Sequence, residues 1–290
     1  MGKERGEPVR LSVITDEISQ DLEAALGVCE DLGVRTVELR AVGGANIISH
    51  DRSSLERIKA TLEDRDFDVC AISSPFLKCH LHGNGAPRGA THFAAPATRE
   101  DQWDVLERSL SAAHLLGAPV VRAFSFWRVP DPAGVRGEVV RALAEAVERA
   151  QEAGLELALE NEHECNVGTG AEARRVLDLI PSPSFGLVWD PGNEAMMGSE
   201  PFPGGYSHVR GRVTHVHLKD VDDEGNWTKV GAGVIDYPGQ LRALAEDGYA
   251  GVLSLETHYE IPGGGLGGAT RESIAAIRAL CEQAGVELSS

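Results

Sequence analysis

Four ionisable residues in the second half of the sequence each stand at the end of a run of mostly apolar residues. They are Glu160, Asp190, His217 and Glu256. Such runs are typical of buried strands, and a carboxylate at the end of one is partly desolvated. Three carboxylates that converged would repel each other, and a divalent cation would supply the missing positive charge. Three oxygen ligands and one nitrogen suit Mn, Mg, Co or Zn, so the four residues predict a site for one divalent metal ion.

Two other roles are open to these side chains. Each could cap the helix that follows its strand, and Asp190, which precedes Pro191, is the best case for this. The four could also belong to a salt-bridge network. One such residue would more often be a cap, but four at consecutive strand ends favour the metal site.

The choice of histidine ligand rests on the period of a strand. His215 and His217 are two residues apart, so their side chains share one face while Val216 and Leu218 take the other. The two histidines would differ in depth by roughly 6–7 Å. We expect His217 to be the ligand because it is nearer the strand end, and His215 to pack one layer below.

The elements that would position these residues alternate along the whole chain. Short apolar segments predict strands and longer amphipathic segments predict helices. The predicted strands are residues 11–15, 34–39, 69–72, 119–124, 155–159, 185–189, 213–218 and 252–255. The predicted helices are residues 21–32, 53–62, 100–116, 134–153, 171–179, 238–245 and 271–284, with a weaker segment near Tyr206.

Eight alternations without a break in composition predict a single (β/α)8 TIM barrel, of the α/β class, over residues 1–290. The strand ends of such a barrel converge on one mouth, which would bring the four predicted ligands together. A doubly wound sheet is the alternative, but it would need a glycine fingerprint after an early strand, and residues 12–21 contain no glycine. A long loop is predicted over residues 74–99. The glycine-rich run at 263–268 could hold a phosphate, but its composition favours a mobile loop.

Composition limits the class of partner. The 290 residues carry a formal net charge of −18, which weighs against nucleic acid and membrane partners and favours a small-molecule substrate. The five cysteines include no CxxC pair, which predicts reduced thiols. The first ten residues are polar, without the apolar centre of a signal peptide, and no apolar run approaches the roughly 20 residues that span a bilayer. The expected location is cytoplasmic.

Five motifs of the second half resemble the sugar phosphate isomerase/epimerase family, within the xylose-isomerase-like TIM barrels. They are Leu157-Ala-Leu-Glu160-Asn-Glu-His163, Trp189-Asp190-Pro-Gly-Asn193, His215-Val-His217-Leu-Lys219-Asp220, Leu253-Ser-Leu-Glu256-Thr-His258 and Gly231-Ala-Gly233-Val-Ile-Asp236-Tyr. The resemblance implies that Glu160, Asp190, His217 and Glu256 bind one divalent metal. It also implies that Glu160 and Glu256 form the acid/base pair, and that His163 and Asn193 contact substrate. Since family members are often dimers or tetramers, a homo-oligomer is compatible with it.

Three further residues are candidates for substrate binding, each with a structural alternative. Lys219 shares a face with His217 and could hold a substrate oxygen, or it could pair with Asp220 in solvent. Arg40 could bind an anionic group, or form an ion pair beneath the metal carboxylates. Trp127 could form an apolar wall against a sugar, or simply pack under a loop.

These residues predict a metal-dependent isomerase or epimerase of a small sugar or polyol-like keto compound. One glutamate would remove a proton, the other would return it, and the metal would stabilise the enediolate between the two steps. A dehydratase of a keto-inositol, similar to inosose dehydratase, is the main alternative. A zinc phosphodiester nuclease is disfavoured by the acidic charge, and a non-catalytic sugar-binding barrel by the pair of glutamates. The sequence leaves open the substrate, its phosphorylation and the metal.

Overall fold

A computed structural model describes residues 8–83, 98–261 and 263–289. Within them, eight parallel strands close a barrel, and each strand pairs with its neighbours in chain order. The strands are β1 (Val9–Ile14), β2 (Thr36–Leu39), β3 (Asp68–Ile72), β4 (Val120–Ala123), β5 (Glu156–Glu160), β6 (Phe185–Trp189), β7 (Val213–Leu218) and β8 (Val252–Leu255). The barrel closes where Leu11 of β1 lies opposite Leu253 of β8. The predicted fold is therefore confirmed, while the polar segment before residue 8 and residues 84–97 of the predicted loop lie outside the described residues.

Helices cover the outside of the barrel. They are α1 (Leu22–Asp31), α2 (Arg52–Asp64), α3 (Gln102–Leu116), α4 (Pro132–Glu152), α5 (Gly170–Leu177), α6 (Pro191–Met196), α7 (Tyr206–Val209), α8 (Tyr237–Glu246) and α9 (Gly265–Ala284). In the described part of the chain, none combines the length and apolar character that crossing a bilayer requires. The five cysteines are buried free thiols.

The glycine-rich run corrects one prediction. The sequence favours a loop there, but α9 begins inside the run, at Gly265. The side chain of Ile261 packs on the run, and a Cβ on Gly268 would lie 2.8 Å from Ile261 Cδ1. Each glycine costs a helix about 1 kcal/mol relative to alanine, a local preference that tertiary packing overrides here.

The barrel interior is layered. A small apolar cluster, separate from the large core, consists of Cys70, Ala71, Val120, Ala158, Val188 and Val252. Ala158 and Val188 each precede a predicted ligand by two residues, so they share its inward face. The apolar cluster thus lies one layer beneath Glu160 and Asp190, and it supports a polar layer at the carboxyl ends of the strands.

Gly186 of β6 allows a close contact between neighbouring strands. A Cβ at this position would lie 1.7 Å from Thr214 Oγ1 and 2.8 Å from Glu156 Oε1. We expect Gly186→Ala to lower the free energy of unfolding by about 1–3 kcal/mol through overpacking, measured by urea denaturation. Gly27→Ala in α1 is the control, because the nearest atom to a Cβ there, outside its own helix, is Arg65 Nη2 at 3.8 Å. That change should stabilise the helix by about 1 kcal/mol. A Gly186→Ala protein as stable as wild type would show that Thr214 yields without cost.

Candidate metal centre

The four predicted ligands lie together at the carboxyl ends of their strands. Glu160 is the last residue of β5, Asp190 and Glu256 follow β6 and β8, and His217 is the fifth residue of β7. One potential ligand atom from each lies within 4.8 Å of the others. All four side chains are at most 1% exposed. The structure therefore brings three carboxylates and one imidazole to a single buried position.

Asp190 serves two purposes with its two oxygens. Its Oδ1 accepts a hydrogen bond of 2.8 Å from the backbone N–H of Asn193 and so caps α6. Its Oδ2 lies 2.9 Å from Lys219 Nζ and 3.9 Å from His217 Nδ1. The capping role anticipated for this residue therefore leaves one oxygen directed toward the other candidate ligands.

Glu38 of β2 orients His217. Its carboxylate lies 3.1 and 3.2 Å from His217 Nε2, and it also accepts a hydrogen bond from the Ser73 hydroxyl. The Glu38 carboxylate holds a proton on Nε2, so a metal ion that displaced the proton shared between Nδ1 and Glu160 would find the Nδ1 lone pair available. That Nδ1 is 3.2 Å from Glu160 Oε1 and 3.8 Å from Glu256 Oε2. His217, and not His215, thus faces the carboxylates.

His215 lies one layer deeper, as the strand period predicts. Its Nε2 is 2.8 Å from Glu38 Oε2, and its ring contacts the ring of His217 edge to face. No role was predicted for Glu38, although a single carboxylate in the apolar strand Thr36–Leu39 was a usable indication.

Each carboxylate of the centre has a buried cation close to it. Lys219 Nζ lies 2.8 Å from Glu256 Oε2 as well as beside Asp190, and Arg122 Nη1 lies 3.1 Å from Glu160 Oε2. Arg40 donates to Glu256 Oε1 at 2.8 Å and also pairs with two acids of the first loop, Asp16 and Glu17. The structure places Arg40 in the ion-pair role that was its alternative, and Lys219 inside the barrel rather than in solvent.

Burial and charge act in opposite directions on these groups. Burial raises the pKa of Glu160, but Arg122 and His217 outweigh it and bring that pKa to about 2. Burial also opposes ionisation of Glu256, yet His258, Lys219 and Arg40 hold its pKa well below the usual range. For Asp190, burial dominates over Lys219 and raises the pKa to about 6.

The donor set fits a hard divalent ion. Asp190 Oδ2 and Glu160 Oε2 are buried oxygens without a hydrogen-bond partner among the described residues. The cations near them lie at ion-pair distance but outside hydrogen-bond geometry. A buried carboxylate oxygen in that condition is costly unless further positive charge reaches it. These oxygens, with His217 Nδ1, match the preference of Mg, Mn, Co or Zn.

His163 and Asn193, predicted to contact substrate, adjoin the centre. Asn193 Nδ2 donates to Glu160 Oε1 at 3.3 Å, and its Oδ1 is 2.8 Å from His163 Nδ1. That nitrogen is also 2.8 Å from Glu162 Oε1, and Glu162 in turn pairs with the buried ammonium of Lys78 at 2.9 Å. Burial lowers the pKa of His163, but the bond to Glu162 outweighs it, so the pKa is raised.

Two tryptophans take different positions. Trp127 is buried in a cluster with Phe124 and Cys165, and Lys78 Nζ is 5.4 Å from its ring centroid. Its contacts are therefore those of a packing residue. Trp227, for which no role was predicted, lies at the mouth, with its ring centroid 5.0 Å from Lys219 Nζ. It stands in a short loop hairpin, where hydrophobic periodicity carries no information.

Sequence comparisons give a family match over most of the chain. A family model described as xylose isomerase-like TIM barrel matches residues 26–289. The rhizopine catabolism protein MocC of Rhizobium meliloti is 30% identical over 138 residues, which are 41% of this chain and 42% of that protein. An inosose dehydratase of Lacticaseibacillus casei is 26% identical over 131 residues, which are 39% of this chain and 44% of that protein. The chain thus matches less than half of the length of either relative.

Solved structures extend the likeness to nearly the whole chain. The IOLI protein, whose crystal structure has a bound zinc atom, gives a TM-score of 0.74 at 17% identity and covers 95% of this chain and 99% of its own. L-ribulose 3-epimerase gives a TM-score of 0.71 at 20% identity, with 96% of both chains covered. At such identities the likeness shows a shared fold, and the zinc and the epimerisation are properties of those two proteins.

Proposed function

The chain belongs to the xylose isomerase-like TIM barrel family, and from this premise we propose that it is a metal-dependent isomerase or epimerase of a small sugar or polyol-like keto compound. Glu160, Asp190, His217 and Glu256 would hold one divalent ion. The single observation that carries the proposal is the pair of glutamates, Glu160 and Glu256. They reach one position from β5 and β8, with carboxylate oxygens within 4.8 Å.

The residues around the ion have different roles in the proposed reaction. When bound, the ion would draw electron density from a carbonyl group and so make the neighbouring C–H bond more acidic. One glutamate takes that proton and returns it to the adjacent carbon, or the other glutamate, when it enters the reaction protonated, gives its own proton to the opposite face. Lys219 offers an ammonium proton to a substrate oxygen, while Asn193 orients Glu160. Protonation of the opposite face needs both carboxylates, whereas a protein that only binds sugar has no use for the pair.

Exchange of hydrogen with heavy water tests this proposal. Metal-loaded protein is incubated in deuterium oxide with candidate keto sugars and keto-inositols, and NMR follows deuterium at the carbon next to the carbonyl. Incorporation that depends on the metal, with or without net isomerisation, is the expected result. If metal-loaded protein converts a substrate without any exchange at that carbon, for instance by hydride shift, the proton-transfer mechanism is wrong.

Dehydration of a keto-inositol is the second candidate, and His163 is the observation that favours it. Its imidazole is held by Glu162 and Asn193, has a raised pKa and retains a side chain 27% exposed toward the mouth. Such a group can protonate a hydroxyl that leaves after the C–H proton has been removed. The partial match to an inosose dehydratase is in keeping with it. Loss of water from a keto-inositol, detected by mass, distinguishes it from isomerisation.

A small-molecule substrate and a cytoplasmic location complete the proposal. The net charge of −18 opposes binding of polyanions such as nucleic acid. Five buried free thiols are in keeping with a reducing compartment.

The two histidines of β7 should differ in what they contribute. His217→Ala removes the nitrogen that faces the carboxylates, so we expect loss of the bound metal. His215→Ala leaves the ligands in place but removes a partner of the buried Glu38, so we expect mainly a lower melting temperature. Elemental analysis and thermal unfolding of both proteins separate the two effects. The reverse pattern would show that His215 is the ligand.

A further inference from the structure

Trp227 lies over the mouth of the barrel. It belongs to a two-stranded hairpin, Asp220–Val221 with Trp227–Thr228, that rises from the end of β7. One face of its indole lies 5.0 Å from Lys219 Nζ, the ammonium that contacts Asp190 and Glu256. That face is therefore directed at the metal centre.

Trp227 contacts two loops from different sides of the mouth. The centroid of the indole lies 6.2 Å from that of His163, in the loop after β5. It lies 5.3 Å from the ring of His258, in the loop after β8. Both contacts are edge to face, the arrangement that aromatic rings prefer. The indole thus contacts one ring from each of the loops that follow the two glutamate-bearing strands.

The hairpin is fixed to the barrel by Asp220. This buried carboxylate accepts backbone hydrogen bonds from Val221, Gly231, Gly233 and Ile235. The chain passes so close that a Cβ on Gly233 would lie 2.3 Å from Asp220 Oδ1. These hydrogen bonds therefore fix the hairpin, and with it Trp227, at the mouth.

We infer that Trp227 selects substrates that are rings rather than open chains, by packing its indole face against the C–H face of a cyclic polyol. The inference rests on the proposed function, whose substrate class it narrows. Lys219 donates one hydrogen bond to Glu256 and lies at ion-pair distance from Asp190, so at least one of its three ammonium protons remains for a substrate oxygen. A ligand oxygen bonded there brings its neighbouring carbons against the indole.

Shape explains why rings are favoured. A cyclohexane-type polyol with hydroxyls around its rim keeps a flat apolar face, which can cover the indole without burying a polar group. An open-chain polyol turns hydroxyl groups toward the indole in every conformation, and an unpaired hydroxyl buried there is penalised. Pairs of aromatic rings gain roughly 0.5–1.5 kcal/mol beyond burial of area, about 2- to 12-fold in affinity, and we expect a gain of similar size from the C–H face of a ring.

Calorimetric binding of two unreactive alcohols to metal-loaded protein tests the inference. The probes are myo-inositol, which is cyclic, and D-sorbitol, an open chain of equal carbon number. Wild type should bind the cyclic probe more tightly. Trp227→Leu keeps apolar bulk but removes the aromatic face. It should lower the affinity for myo-inositol roughly 3- to 10-fold and change the affinity for D-sorbitol less than about twofold. Trp103→Leu is the matched control, because Trp103 is a half-buried tryptophan of α3 that packs against Phe76, and it should bind like wild type.

Thermal unfolding and metal content of Trp227→Leu establish that the protein is folded and loaded. Trp227→Phe retains an aromatic face and should recover most of the preference. The inference is overturned if Trp227→Leu still prefers myo-inositol, or if its affinity falls equally for both probes. It is also overturned if wild type does not favour the ring. Since these probes undergo no reaction, a failure of proton transfer would appear in the deuterium experiment and not in this one.

Discussion

Replacing either Glu160 or Glu256 by glutamine will lower turnover at saturating metal by about 10²–10⁴-fold. Glutamine keeps the size of the side chain and one oxygen ligand but removes the base. Metal affinity will also fall because negative charge is lost, so the rates must be compared at metal concentrations that saturate each variant. Initial rates and deuterium exchange into the substrate are the two measurements, and both should fall together.

The two substitutions should be far from additive, because both groups serve one proton transfer. Glu156→Gln is the matched control, since Glu156 begins β5 on the same face as Glu160 but bonds to Thr214 at the far end of the strand. It should turn over normally. Should both active-site variants also turn over normally, Glu160 and Glu256 would be ligands only and the acid/base mechanism would have to be abandoned.

Purified wild type will carry about one divalent ion per chain, and Asp190→Ala will lose it. Removal of this side chain eliminates an oxygen that lies beside the other three candidate ligands. Changes to groups that merely support a ligand already reduce metal affinity by about 10–100-fold, so loss of a ligand should exceed that range. Elemental analysis after dialysis, followed by titration with Mn, Co and Zn, measures the loss.

Asp190 also caps α6, so loss of a helix cap must be separated from loss of a ligand. Asp236→Ala provides that control, because Asp236 caps α8 in the same way, through a bond of 2.9 Å from the N–H of Gly239. Either substitution should cost about 1 kcal/mol of stability from the cap alone. Only Asp190→Ala should release metal. Retention of a full equivalent of metal by that variant would refute the site.

The parts of the molecule that the sequence predicts correctly depend on regular repetition. Alternating apolar segments identify the eight strands, and a parallel barrel places all their carboxyl ends at one rim. Residues distant along the chain, such as Glu160 and Glu256, can therefore be brought together without knowledge of any contact. Within β7 the period of two was enough to give His215 and His217 different depths.

What the sequence does not predict depends on contacts between particular side chains. Glu38 meets His215 across 177 positions, and Lys78 pairs with Glu162 from a loop without repeating pattern. Trp227 depends on a hairpin that forms because one carboxylate collects several backbone donors. The start of α9 was missed because the fit of Ile261 against glycines outweighs their local preference.

The apolar layer beneath the centre closes the lower end of the barrel interior. Val120, Ala158, Val188 and Val252 fill the interior below the polar layer, so substrate, product and water exchange with the solvent through the mouth. Product must therefore leave before the next substrate binds, because both pass through the same mouth. A proton taken from the substrate is likewise held among a few side chains until water reaches it. A fraction of the product forms before this exchange and carries the original hydrogen, so the proportion of deuterium in the product measures how long the proton stays in the site before it meets water.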